Sequence, residues 1–223
     1  MGEWIRLKAA DGFEFDAWKA VPTGKAKGGV VVVQEIFGVN AHIRAVTDAF
    51  AGAGYLAVAP AIYDRVEPKL ECGYTPEDIA KARDWRAGCN LDNVMLDIDA
   101  AAKEASAGGK VGIVGYCWGG SLSFVAACRL PSISAASGYY GGQIVPHLDE
   151  TVVAPTMLHF GALDKGIPLT DVETIRSRKP DVQVFVYEGA GHGFNCDHRA
   201  DYNAACAATA LERTMAHFAK HLG

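Results

Sequence analysis

The chain has 223 residues, half of them hydrophobic, a formal net charge of -5 and a pI near 5.8. That length and apolar content suffice for one sizeable core, so a single domain over residues 1–223 is expected. The acidic balance leaves no basic face for nucleic acid, and no segment approaches the roughly 20 apolar residues of a membrane span. The first twenty residues carry Glu3, Asp11, Glu14 and Asp16 rather than a leader pattern, so a cytoplasmic protein with no membrane partner is expected.

Taken in order, residues 4–7 and 13–20 are short segments of partial alternation around Asp11-Gly12, the signature of an antiparallel hairpin. The β-branched run Val30 to Val33 reads as a strand covered on both faces. Asn40 then caps a predicted helix to Ala53, with Ile43, Val46, Phe50 and Ala53 at helical spacing. Residues 55–59 form the next strand and residues 61–74 a long polar loop, of a length that is often functional. Thr75-Pro76-Glu77-Asp78 opens a helix with a capping Thr and Pro at its first turn, and Asn90 starts another that runs to Gly108-Gly109. After the strand at residues 110–116, further strands are predicted over 133–140, 156–160 and 182–187, with helices over 168–177 and 201–221. Strands alternating with helices after a hairpin give an α/β fold with about eight strands, a mostly parallel sheet and helices on both faces.

The stretch Gly115-Tyr116-Cys117-Trp118-Gly119 follows a buried strand and precedes an apolar helical pattern. Glycines on both sides of Cys117 allow the sharp turn of a nucleophile elbow, which lifts the central side chain into the open at a helix N-terminus. A thiol there has its thiolate favoured by the helix end, and the Trp118 amide is left free for a developing oxyanion. A small packed cysteine in a Gly-rich turn is the plainer alternative.

The strand edge decides between them, because in open α/β sheets ligands bind beyond the carboxyl ends of the strands. There the strand at 156–160 leads into Asp164 and the last strand leads into His192. Nucleophile, acid and histidine in this chain order are those of an α/β-hydrolase triad, with His192 as the base and Asp164 orienting it. Glu35 directly follows the Val30–Val33 strand at the same edge, where it could accept a hydrogen bond from the thiol. The Ile36 amide would be the second oxyanion donor.

Four stretches, Gln34-Glu35-Ile36-Phe37-Gly38-Val39-Asn40, Gly115-Tyr116-Cys117-Trp118-Gly119-Gly120, Gly138-Tyr139-Tyr140-Gly141 and Ala190-Gly191-His192-Gly193-Phe194, resemble the dienelactone hydrolase family. The resemblance spans nearly the whole chain and implies the α/β-hydrolase fold. It also implies a Cys117-His192-Asp164 triad, hydrolysis of an enol lactone or related ester through an acyl-enzyme, no cofactor, and a glutamate, Glu35, that gates the thiolate. Its members hold the substrate carboxylate with arginines whose positions fall here near Ile79 and near Asn195-Cys196. Arg83 and Arg199 stand close to these, and Phe37, Arg83 and Tyr140 are the substrate contacts expected.

Six cysteines without a C-x-x-C pair read as reduced thiols, with Cys128 and Cys206 as packing residues. Cys196-Asp197-His198 lacks the four ligands of a structural zinc, so no metal is expected. A catalytically idle ligand-binding scaffold and a thiol redox protein are the competing readings. The first usually loses a triad member, and the second requires a resolving thiol, for which only Cys196 stands as a candidate. A small lactone or ester is the expected partner, with the chain a monomer or small homo-oligomer.

Overall fold

The computed structural model covers all 223 residues. Strands β1 (Glu3–Lys8) and β2 (Glu14–Ala20) form the expected antiparallel hairpin. Its turn is closed by Ala9 N–H donating to Phe13 C=O and by Asp11 accepting from the Phe13 amide. The other strands are β3 (Gly29–Val33), β4 (Leu56–Pro60), β5 (Val111–Tyr116), β6 (Ala135–Tyr139), β7 (Thr156–Gly161) and β8 (Gln183–Tyr187). All eight lie in one sheet of order β1-β2-β4-β3-β5-β6-β7-β8, parallel from β4 onward.

Helices α1 (Ala41–Gly52), α2 (Pro76–Ala87), α3 (Leu91–Ala105), α4 (Trp118–Arg129), α5 (Leu169–Arg178) and α6 (Ala204–Leu222) cover the two faces. Their starts follow local chemistry. Asn40 and Asn90 accept the amides of Ile43 and Asn93, and Thr75 and Asp78 cap one another's backbone at the head of α2. The all-apolar strand β3 splits its residues by the two-residue strand period. Val30 and Val32 face the core that also holds Ile43, Phe50 and Phe218, while Val31 and Val33 face the core of Ile98, Leu122 and Val125. With both faces covered by helices, side chains for chemistry come from the strand ends, and at the carboxyl end β3, β5, β7 and β8 release Glu35, Cys117, Asp164 and His192.

Candidate active site

Strand β5 meets α4 at Cys117, whose backbone takes φ 55° and ψ -116°. A side chain in that region costs on the order of 1–3 kcal/mol and persists only where the surroundings impose it. They do so here through close packing. A Cβ on Gly115 would lie 1.9 Å from the Gly119 carbonyl oxygen, and one on Gly119 would lie 2.5 Å from the carbonyl oxygens of Gln34 and Val33. Helix α4 can thus press against β5 and β3 only with glycine at both places. The Cys117 amide donates to the Tyr139 carbonyl at 3.0 Å, so the thiol is turned outward at the mouth of α4.

Asp164 and His192 arrive on neighbouring loops. Ala162 N–H donates to Tyr187 C=O and Leu163 N–H to Ala190 C=O, each at 2.9 Å, which ties the loop after β7 to the loop after β8. The Asp164 side chain is wholly buried, and both its oxygens are used, Oδ1 by the Gly166 amide at 2.8 Å and Oδ2 by His192 Nδ1 at 2.7 Å. The other ring nitrogen of His192, Nε2, lies 3.2 Å from Cys117 Sγ. Burial opposes charge on this imidazole, but the hydrogen bonds to Asp164 and Cys117 outweigh it and push its pKa up to about 10. The Tyr140 ring backs the imidazole at a centroid distance of 5.2 Å.

Glu35 turns inward as expected and is 1% exposed, but its partner differs from the one expected. The thiol faces His192, and Glu35 Oε1 accepts from Arg199 Nη1 at 3.2 Å, while Oε2 is buried without a partner. A carboxylate taken from water needs a countercharge, and Arg199 supplies it from the loop beyond His192. Burial works against the Arg199 charge, yet Glu35 and the nearby Cys117 hold its pKa raised. The guanidinium lies against Gly193, where a Cβ would come within 2.7 Å of it.

Trp118 opens α4, so its amide has no acceptor within the helix. Its indole stacks on Tyr63 at 5.7 Å and 18°, and the Tyr63 hydroxyl donates to the Ile36 carbonyl at 2.9 Å. This pins the Ile36 segment beside the elbow, so that Ile36 and Cys117 border one space, while the Trp118 side chain faces a separate small cavity with Ser121 and Leu122.

That space is a cleft of about 520 Å³. Cys117, His192 and Asp164 line it together with Ile36, Phe37, Arg83 and Arg199. Ile79, near which the resemblance places one of the family's arginines, lines it too, and Arg86, Leu163, Lys165, Gly166 and Asp201 complete the wall. Tyr140 is a correction to the expected substrate contacts. Its backbone is at φ 38°, which turns the ring into the core against Tyr116 and Phe194, and it is fully buried outside the cleft wall. A larger cleft of about 660 Å³, walled by Trp4, Trp18, Arg44 and Tyr63, holds none of Cys117, Asp164 and His192. All six cysteines are free, and Cys196 is buried. Away from the cleft, His42, Asp197 and His198 bring three ligand atoms within 4.8 Å of one another.

A family model described as the dienelactone hydrolase family matches residues 15–222. A Synechocystis sp. protein provisionally named a carboxymethylenebutenolidase is 38% identical over 213 residues, covering 86% of each chain. The carboxymethylenebutenolidase of Pseudomonas putida is 33% identical over 226 residues, covering 96% of this chain and 94% of its own. Among solved structures, a Klebsiella pneumoniae protein provisionally named a dienelactone hydrolase is 29% identical with a TM-score of 0.83, over 98% of this chain and 100% of that one.

Proposed function

The chain belongs to the dienelactone hydrolase family, and from that premise we propose that it is a cysteine hydrolase of enol lactones or related carboxylic esters. The observation that carries this reading is the single imidazole of His192, bridging Cys117 Sγ at 3.2 Å and Asp164 at 2.7 Å. In the first half-reaction the sulfur of Cys117 attacks the ester carbonyl, and the oxyanion that forms accepts from the Trp118 and Ile36 amides. The bond to the leaving oxygen then breaks, and the His192 imidazolium returns the thiol's proton to that oxygen. In a lactone the released enol stays attached to the acyl chain. Water, deprotonated by His192, next attacks the thioester, and the thiol is recovered as the acid leaves. Asp164 holds the imidazole in the tautomer and orientation this exchange needs.

The cleft wall favours an anionic substrate. Arg83 and Arg86, one turn apart on α2, and Lys165 face the space without any ion pair of their own, and Arg199 is there as well. A substrate carboxylate is the natural partner for this set. Comparing kcat/KM for enol lactones with and without a carboxylate, and for neutral aryl esters, tests the reading. The carboxylated lactone is expected to lead by at least about tenfold, which is roughly 1.4 kcal/mol of transition-state binding. Equal rates on all three would reject the acidic lactone as the substrate class.

Glu35 is proposed as the gate. At rest its negative charge, held at the site by Arg199, keeps the thiol protonated; a substrate carboxylate that takes Arg199 would displace Glu35 and ease transfer of the thiol proton to His192, confining the reactive thiolate to the occupied enzyme. A negative charge disfavours a neighbouring thiolate, so Glu35→Gln should speed iodoacetamide alkylation of Cys117 while slowing hydrolysis. Unchanged alkylation across pH together with unchanged turnover would reduce Glu35 to a structural countercharge for Arg199.

A further inference from the structure

His42 is the second residue of α1, and Asp197 and His198 lie on the loop beyond the last strand, so the sequence gives no local sign that they meet. The His42 imidazole is buried, with Nδ1 3.1 Å from Asp197 Oδ1, and the same oxygen lies 3.8 Å from His198 Nε2. The two rings are 5.5 Å apart and tilted by 57°. A hydrogen bond between His42 and Asp197 explains the first contact but not the second, which is too long to be one. We propose that His42, Asp197 and His198 form a binding site for one divalent transition ion of the zinc class.

The spacing fits such an ion. Bonds of 2.0–2.1 Å in a tetrahedral site put neighbouring ligand atoms about 3.4 Å apart, and the two separations around Asp197 Oδ1 bracket that figure. Two imidazoles and one carboxylate suit zinc, cobalt, nickel or copper, whereas magnesium and calcium prefer an all-oxygen set. Three protein ligands leave one position open for water. His42 is held by the helix and its packing, whereas Asp197 and His198 are 61% and 48% exposed and can close on an ion from solvent. Without an ion, His42 Nδ1 donates to Asp197, and Nε2 is buried without a partner, so ion binding at Nδ1 must displace that proton, either to Nε2 or to solvent, and uptake should release protons or weaken as pH falls. The ion would tie the head of α1 to the loop whose next residue after His198 is Arg199.

Titration of metal-free protein with cobalt chloride tests the site without reference to hydrolysis. One cobalt per chain is expected, with the visible ligand-field band of a four-coordinate nitrogen and oxygen site, and zinc should displace it. His198→Ala and Asp197→Asn change exposed side chains, so folding should survive. Each should weaken uptake at least as much as the 10–100-fold typical of losing only an outer partner of a metal site. Absence of stoichiometric uptake would overturn the proposal. So would a sulfur-to-cobalt charge-transfer band, which would place the ion on a cysteine, or uptake unchanged in both variants, which would place it elsewhere.

Discussion

Cys117→Ala is expected to remove hydrolysis, lowering kcat/KM by about 10⁴-fold or more, while the chain remains folded. A loss of that size is about 5 kcal/mol of transition-state stabilisation, more than one hydrogen bond or one packing contact supplies. No other sulfur is placed to substitute, because His192 contacts Cys117 alone among the cysteines and Cys196 is buried. The fold should tolerate the change because the thiol makes no structural hydrogen bond apart from that to His192, and alanine bears the same backbone strain at φ 55° as cysteine does. Activity within about tenfold of the parent, with circular dichroism and unfolding midpoint unchanged, would take the nucleophile role from Cys117. Activity lost together with the fold would instead mark it as a packing residue.

What the sequence disclosed and what it hid divide along one physical line. Features written in neighbouring residues were legible. The caps at Asn40, Thr75 and Asn90, the Asp11-Gly12 turn and the glycines around Cys117 each act within a few positions, and the structure has them where local chemistry puts them. The strand ends follow from the same apolar runs, which is why Glu35, Cys117, Asp164 and His192 fall at one edge. Boundaries shifted where a competing local bond prevailed. Helix α6 was expected from Asp201 but begins at Ala204, because the Asn203 side chain accepts the Cys206 amide and residues 197–201 are held in turns. Strand β6 begins at Ala135 rather than Ile133, since its parallel register starts opposite Gly112.

Pairings across the chain were not legible. Glu35 and Arg199 are 164 positions apart and His42 and Asp197 are 155 apart, and no periodicity connects them. The burial of Glu35 was the available signal for Arg199, because a carboxylate that follows a fully buried strand must find a cation or stay in water. Arg83 and Arg86 reach the cleft because α2 presents them one turn apart, and that helix has little apolar character to reveal which side faces inward, Ala82 being its only buried residue.

Asp164→Asn carries the other large effect, and it should appear in two independent measurements. The first is kinetic. Asparagine keeps the shape and can still accept the Gly166 amide, but its amide nitrogen can donate to His192 Nδ1 and so favour the wrong tautomer. Nε2 would then carry the proton and be unable to take one from the thiol, so kcat should fall by about 10⁴ on the triad analogy. The second is thermodynamic. The folded protein raises His192 from 6.5 to about 10, against burial and through its bonds to Asp164 and Cys117. A group raised on folding adds stability that is complete below its unfolded pKa and is lost as pH climbs through its folded one. Wild type should therefore exceed Asp164→Asn in denaturant midpoint by the full margin below pH 6.5, and this pH-dependent margin should shrink as pH rises toward about 10. A margin constant across that window would show that Asp164 does not stabilise the imidazolium. Coupled with an unchanged kcat, it would assign the orienting role to a different acid, and the cleft offers Asp201 as the one to replace next.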